Sequence, residues 1–165
     1  MCGEPAGVQN RFRDRRGTPA PQPGPGGPRG PRPFFVYGTL RAGGANHDRF
    51  LRGRTLAGEP ARLAGAVLYD GPGHPYAVEQ PGGRVRGELV TALPEVYEAL
   101  LTDLDRLEEY VPGDPRNLYE RVARDVERAD GTTVRAWVNL AAPRVADRLR
   151  ARGRPIPGGQ WPDGR

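Results

Sequence analysis

Apolar positions are sparse at first and regular afterwards. Residues 1–32 offer only Met1, Val8 and Phe12 as large apolar side chains. From Phe34 onward short apolar runs alternate with glycine- and proline-bounded turns. Phe34-Phe35-Val36-Tyr37, ending at Gly38, reads as a buried strand. Arg62–Tyr69 reads as a second strand, Tyr76–Val78 as a short third and Arg84–Thr91 as an alternating fourth. Tyr119–Arg128 and Thr133–Leu140 flank Asp130-Gly131 and predict a hairpin. One clear helix is predicted over Pro94–Tyr110, with proline at its start and Pro112-Gly113 past its end. A weaker helix is expected over Arg144–Ala151. This order predicts a largely antiparallel, curled sheet with helices packed on it.

The helix separates its polar and apolar residues. At about 100° per residue, Val96, Tyr97, Leu100, Leu101, Leu104 and Leu107 share one arc that faces a core. Glu95, Glu98, Asp105 and Glu109 lie on the wet side, and Asp103 at the edge. Glu108 falls inside the apolar arc, between Tyr97 and Leu101. A carboxyl held away from water has a raised pKa, which suits a general acid/base near neutral pH. The plainer reading is that Glu108 swings out of a frayed last turn or pairs with an arginine.

Composition changes the picture mainly at the N-terminus. The chain has 165 residues, 25 basic side chains that are all arginine, 20 acids and a net charge of +5. The lysine-free bias toward Ala, Gly, Pro and Arg reads as codon pressure from a GC-rich genome. Residues 1–32 hold six arginines against two acids, a net of +4, with seven prolines and seven glycines. Such a segment cannot bury enough apolar surface to offset its chain entropy, so it is expected to be a disordered tail. The domain proper is then 33–165 and nearly neutral. Arg11–Arg16 would suit an acidic surface or nucleic acid; a solvated, composition-driven tail is the preferred reading, without a nucleic-acid partner.

Several chemistries find no support in the chain. No apolar run approaches the roughly 18–20 residues of a membrane span, and no secretory apolar region is expected. Cys2 is the single cysteine, so no intrachain disulfide or cysteine zinc site forms. His47 and His74 lack ligand spacing, and no nucleotide-binding glycine loop is present, so no metal or cofactor is expected. A buried strand that stops at Gly38 leaves successive backbone N–H groups able to cradle an anion.

Phe35-Val36-Tyr37-Gly38-Thr39-Leu40-Arg41 resembles the opening motif of the gamma-glutamylcyclotransferase-like superfamily, in its AIG2-like, gamma-glutamylamine cyclotransferase branch. The resemblance continues in order through Asn46-His47, Gly65–Asp70, Pro75–Val78, Val85–Leu89, Leu104–Tyr110, Leu118–Val122, Ala136–Val138 and a loose C-terminal Ile156–Trp161. It implies an α+β fold: a small mixed, mostly antiparallel β-barrel with a central and a C-terminal helix. It also implies a cytoplasmic, cofactor-free enzyme that converts a gamma-glutamyl amine or amide to 5-oxoproline and free amine. The resemblance assigns Glu108 as the catalytic acid/base. It assigns the backbone N–H groups of Tyr37, Gly38, Thr39 and Leu40 to the substrate's carboxylate or oxyanion; Tyr119 is a substrate contact or a barrel-packing residue, and Arg41 either adds anion-binding charge or forms a rim salt bridge. Asn139, in place of a tyrosine, and Gly159-Gln160 before Trp161 depart from the pattern. A non-catalytic binding member of the same fold is the alternative, and the leaving amine and oligomeric state are open.

Overall fold

The structure is a computed structural model that describes residues 32–163. The expected tail, apart from Arg32, lies outside the described residues. Five strands close into a barrel: β1 (Phe34–Val36), β2 (Glu59–Tyr69), β3 (Tyr76–Val90), β4 (Tyr119–Arg128) and β5 (Thr133–Ala141). Their order around the barrel is β1-β3-β2-β4-β5. Neighbours are antiparallel except β1–β5 (Phe34 opposite Trp137) and a β3–β5 contact (Ala77 opposite Leu140), which are parallel. Three helices attach: α1 (His47–Phe50), α2 (Tyr97–Leu107) and α3 (Pro143–Arg152).

Strand alternation builds two cores from β1 alone. Phe35, and Tyr37 just beyond the strand, enter the barrel with Leu63, Leu68, Val85, Val126, Val138 and Trp161. Phe34 and Val36 face outward into a second cluster with Leu40, Leu51, Val90, Leu100 and Leu104. The predicted apolar arc of α2 therefore covers the outside of β1. Two polar ties fix the helix to the barrel: Trp137 Nε1 donates to Tyr97 Oη at 2.9 Å, and Arg121 of β4 pairs with Asp105.

Two expected elements differ. The third and fourth strands are one strand, β3, running through Pro81-Gly82-Gly83. The pairing with β2 jumps from Ala64–Arg84 to Ala66–Glu79, so residues 80–83 bulge opposite Gly65. Proline is tolerated there because a bulge leaves a backbone N–H without a ladder partner anyway. The long helix is also shorter than expected. Pro94–Val96 forms a 3₁₀ turn, the α-helix ends at Leu107, and Glu108 is its C-cap. The hairpin forms at the expected place, where Asp130 Oδ1 accepts from Thr132 N at 2.9 Å and Thr132 Oγ1 at 2.6 Å.

The C-terminal segment plugs the barrel. Ile156 N donates to Leu68 O at 2.7 Å, and Trp161 is fully buried in the interior cluster. Gly159 allows this approach: it has φ 66°, and a Cβ there would stand 2.0 Å from Arg84 O.

Candidate active site

A cleft of about 210 Å³ opens beside the end of β1. The turn after β1 contributes Tyr37, Gly38 and Thr39, and the end of α2 contributes Leu107, Glu108 and Glu109. The β2–β3 turn adds Gly73, His74 and Pro75; β4 and β5 add Tyr119 and Asn139. Asn46 and Leu118 complete much of the wall.

Glu108 reaches this place because α2 stops. Its N–H still bonds Leu104 O at 3.0 Å, keeping it close to helical position, while the next residue turns the chain away. The loop beyond is latched by Asn117, which is buried. Its Nδ2 donates to Val111 O at 2.7 Å, and its Oδ1 accepts from Val111 N at 3.0 Å. Burial pushes the Glu108 carboxyl from 4.5 up to about 7. At neutral pH it is divided between its acid and its base form. Three phenols surround it electrostatically: burial first, then the Glu108 charge, raises the Tyr37 and Tyr76 hydroxyls, and burial with Tyr37 and Glu108 raises Tyr119. All three stay neutral, and Tyr37 and Tyr119 act through hydrogen bonds.

Those hydrogen bonds define the far wall. Tyr37 Oη donates to the carbonyl of Asn139. Tyr119 Oη donates to Pro75 O at 2.8 Å and lies 2.7 Å from His74 Nδ1. Since the phenol proton goes to Pro75, the imidazole donates from Nδ1. Burial lowers the His74 pKa, which keeps the ring neutral. Tyr119→Phe removes the link between two partly enclosed partners. We expect a loss of about 1–3 kcal/mol in denaturant unfolding.

The turn after β1 presents its backbone to the cleft. Arg41 N closes it on Gly38 O at 3.2 Å, and Asn46 N bonds Thr39 O at 2.9 Å. Asn46 Nδ2 also donates to Thr39 Oγ1 at 2.8 Å. Among the described residues no acceptor takes the N–H groups of Gly38, Thr39 or Leu40. Gly38 packs so closely under Pro75 that a Cβ would stand 2.9 Å from its Cδ.

Glu108, Tyr37, Gly38, Thr39 and Tyr119 are thus brought together. Leu40 contributes backbone only, since its side chain is buried in the outer cluster. Of the two readings of Arg41, the structure shows the salt bridge. Its guanidinium turns away from the cleft, donates to Trp161 O, and pairs with Asp163 at 3.1 Å. It ties down the C-terminal plug. His74 and the Asn139 carbonyl were not expected in the site. A Gly-His-Pro turn directly before a strand was a usable signal for His74; nothing in a sequence marks a backbone carbonyl.

The cleft thus combines a closed mixed barrel, a desolvated carboxyl at a helix end and a glycine-bounded amide turn. The family model described as Gamma-glutamyl cyclotransferase, AIG2-like, matches residues 34–163, and the chain belongs to that family. It is 40% identical over 101 residues to the Gamma-L-glutamyl-butirosin B gamma-glutamyl cyclotransferase of Niallia circulans. That match spans 60% of this chain and 60% of the relative. An AIG2-like protein from Mus musculus superposes with TM-score 0.54 at 26% identity, covering 68% of this chain and 80% of that one. A solution structure from Arabidopsis thaliana gives TM-score 0.55 at 26% identity, covering 74% and 68%.

Proposed function

We propose that the chain is a gamma-glutamyl cyclotransferase that converts a gamma-glutamyl amine or amide to 5-oxoproline and the free amine. The observation that carries this reading is a Glu108 carboxyl poised near neutrality in a cleft bounded by free backbone N–H groups. The reaction needs no enzyme nucleophile, because the substrate's α-nitrogen attacks its own γ-carbonyl carbon. Confining the flexible glutamyl chain in a folded form supplies much of the rate.

Glu108 accepts a proton from the α-ammonium. The freed nitrogen attacks, the ring C–N bond forms and the carbonyl oxygen gains the negative charge. Glu108 then gives its proton to the leaving nitrogen, the old amide bond breaks, and the ring nitrogen passes its second proton through the same carboxylate to the departing amine. Of the three α-ammonium protons, one remains on the ring nitrogen and two end on the departing ammonium. Glu108 ends as it began. The N–H groups of Gly38, Thr39 and Leu40 are placed to take the glutamyl carboxylate or the oxyanion. Tyr37 and Tyr119 brace the wall against which the ring closes.

The family match and the relative named for gamma-glutamyl-butirosin support a gamma-glutamyl amide as substrate. The test is turnover of gamma-glutamyl amides in ¹⁸O-water. Cyclisation yields unlabelled 5-oxoproline and equimolar amine. Labelled glutamate would show hydrolysis instead, and binding without product would favour a non-catalytic member of the fold.

A further inference from the structure

Away from the cleft, the outer face of the barrel carries arginines that no acid matches. Arg84 and Arg86 are exposed and flank buried Val85 on β3, so both point away from the interior. Arg62 of β2 stands directly opposite Arg86, and Ala64 opposite Arg84. Like charges in direct register destabilise a sheet. Glu127 offsets part of this by pairing with Arg62 at 2.8 Å. The Arg84 and Arg86 guanidinium groups have no partner among the described residues. An arginine-rich composition does not account for the pair. Every other strand arginine meets an acid: Arg62, Arg121, Arg124, Arg128 and Arg135 are each in an ion pair.

Two hollows meet at Arg86. One, of about 620 Å³, is lined by Arg41, Arg62, Arg86 and Glu88. The other, of about 600 Å³, runs past Arg84 and Arg86 to the β3 bulge. Gly65, Gly82 and Gly158 line it without side chains, and a Cβ at any of them would meet nothing. Glu88 is the one acid lining either hollow, and its Oε1 is held by Ala42 N at 2.9 Å. Arg41 adds a buried donor. It is only 9% exposed, and its Nε is buried without an acceptor among the described residues. A buried donor costs free energy until an oxygen reaches it.

We propose that this groove is a second ligand site, for a small molecule bearing a di- or triphosphate chain. Guanidinium forks hold phosphate oxygens two at a time. Arg84 and Arg86 stand about 7 Å apart along β3, and Arg62 and Arg86 about 5 Å apart across the ladder. A di- or triphosphate carries enough charge and enough oxygens to engage three such forks at once; a single phosphate carries less of both. No aromatic side chain lines either hollow, so nothing there stacks a run of bases, and the volumes suit a compact ligand. The groove shares no lining residue with the cleft, so it stands independently of the cyclotransferase reading.

Calorimetry on the full chain at constant ionic strength compares orthophosphate, pyrophosphate, tripolyphosphate and ATP. We expect tripolyphosphate to bind at least about tenfold more tightly than orthophosphate, the size of one added charge-assisted contact. ATP binding as tightly as tripolyphosphate supports recognition of the chain itself, and tighter binding of ATP supports a nucleotide as its carrier. Arg84→Gln combined with Arg86→Gln should weaken tripolyphosphate about tenfold or more, and Arg86→Gln alone should do so in part. Arg135→Gln, which removes a paired arginine on β5, should leave binding unchanged. The double variant should melt no lower than the unmodified chain, because it loses no bond and relieves a like-charge contact. Binding that survives the double variant, held for instance by Arg11–Arg16, overturns the assignment. So does equal affinity for orthophosphate and tripolyphosphate, an equal loss in Arg135→Gln, or a preference for a single-stranded oligonucleotide over ATP.

Discussion

Glu108→Gln is expected to cut 5-oxoproline release by about 10³-fold, within the usual range for a lost acid/base group. The substitution keeps the shape of the side chain, so the cleft should persist. Stability should move the other way. The folded-state pKa of Glu108 lies above its ordinary value, so the fold holds the proton more tightly than the unfolded chain does. That contribution is fully present below about pH 4.5 and is lost as pH rises through about 7. At pH 8 the native protein therefore carries an ionised carboxylate in a desolvated place. Glutamine removes that burden and should stabilise the fold by roughly 2–3 kcal/mol at pH 8, and hardly at all at pH 4.5. Denaturant unfolding at the two pH values checks the sign. A variant that is inactive and also destabilised at pH 8 would mean that Glu108 is a packing residue.

Trp161→Ala is the substitution expected to harm the fold most. The indole is fully buried inside the barrel, among side chains from several strands. Truncation should cost about 3–5 kcal/mol, from lost burial and from the cavity left behind. The melting temperature should fall by roughly 10–15 °C, given the usual size scaling for such a domain. A shift below about 3 °C would show that the C-terminal segment does not close the barrel. Arg41, which holds the Trp161 carbonyl and Asp163, belongs to this closure and not to the cleft.

Local patterns were legible and distant closures were not. The β4–β5 hairpin follows from Asp130-Gly131, and the buried arc of α2 from leucines at helical spacing. Glu108 was legible too, although for a partly different reason. The wheel assumed a helix through Tyr110, whereas Glu108 is oriented as the cap of a helix that ends at Leu107. The Schellman turn that ends α2 was not legible because Glu109 stands where glycine would signal it. Pro81-Gly82-Gly83 reads as a turn by composition. Only the opposing Gly65, sixteen to eighteen positions away, shows that it is a bulge in a continuous strand. His74 and Arg41 are held by residues far along the chain, Tyr119 45 positions on and Trp161 120 positions on, and no local pattern announces either contact.

The pH dependence of kcat/KM for 5-oxoproline release tests the central claim most directly. The productive encounter joins ionised Glu108 with a substrate whose α-nitrogen is still an ammonium. A bell-shaped profile is expected. Its acid limb should bend near pH 7, falling tenfold per unit below that, and its alkaline limb should follow the substrate's amine. A rate that holds level down to pH 5 would contradict it, because a carboxylate of ordinary pKa would then be carrying the proton.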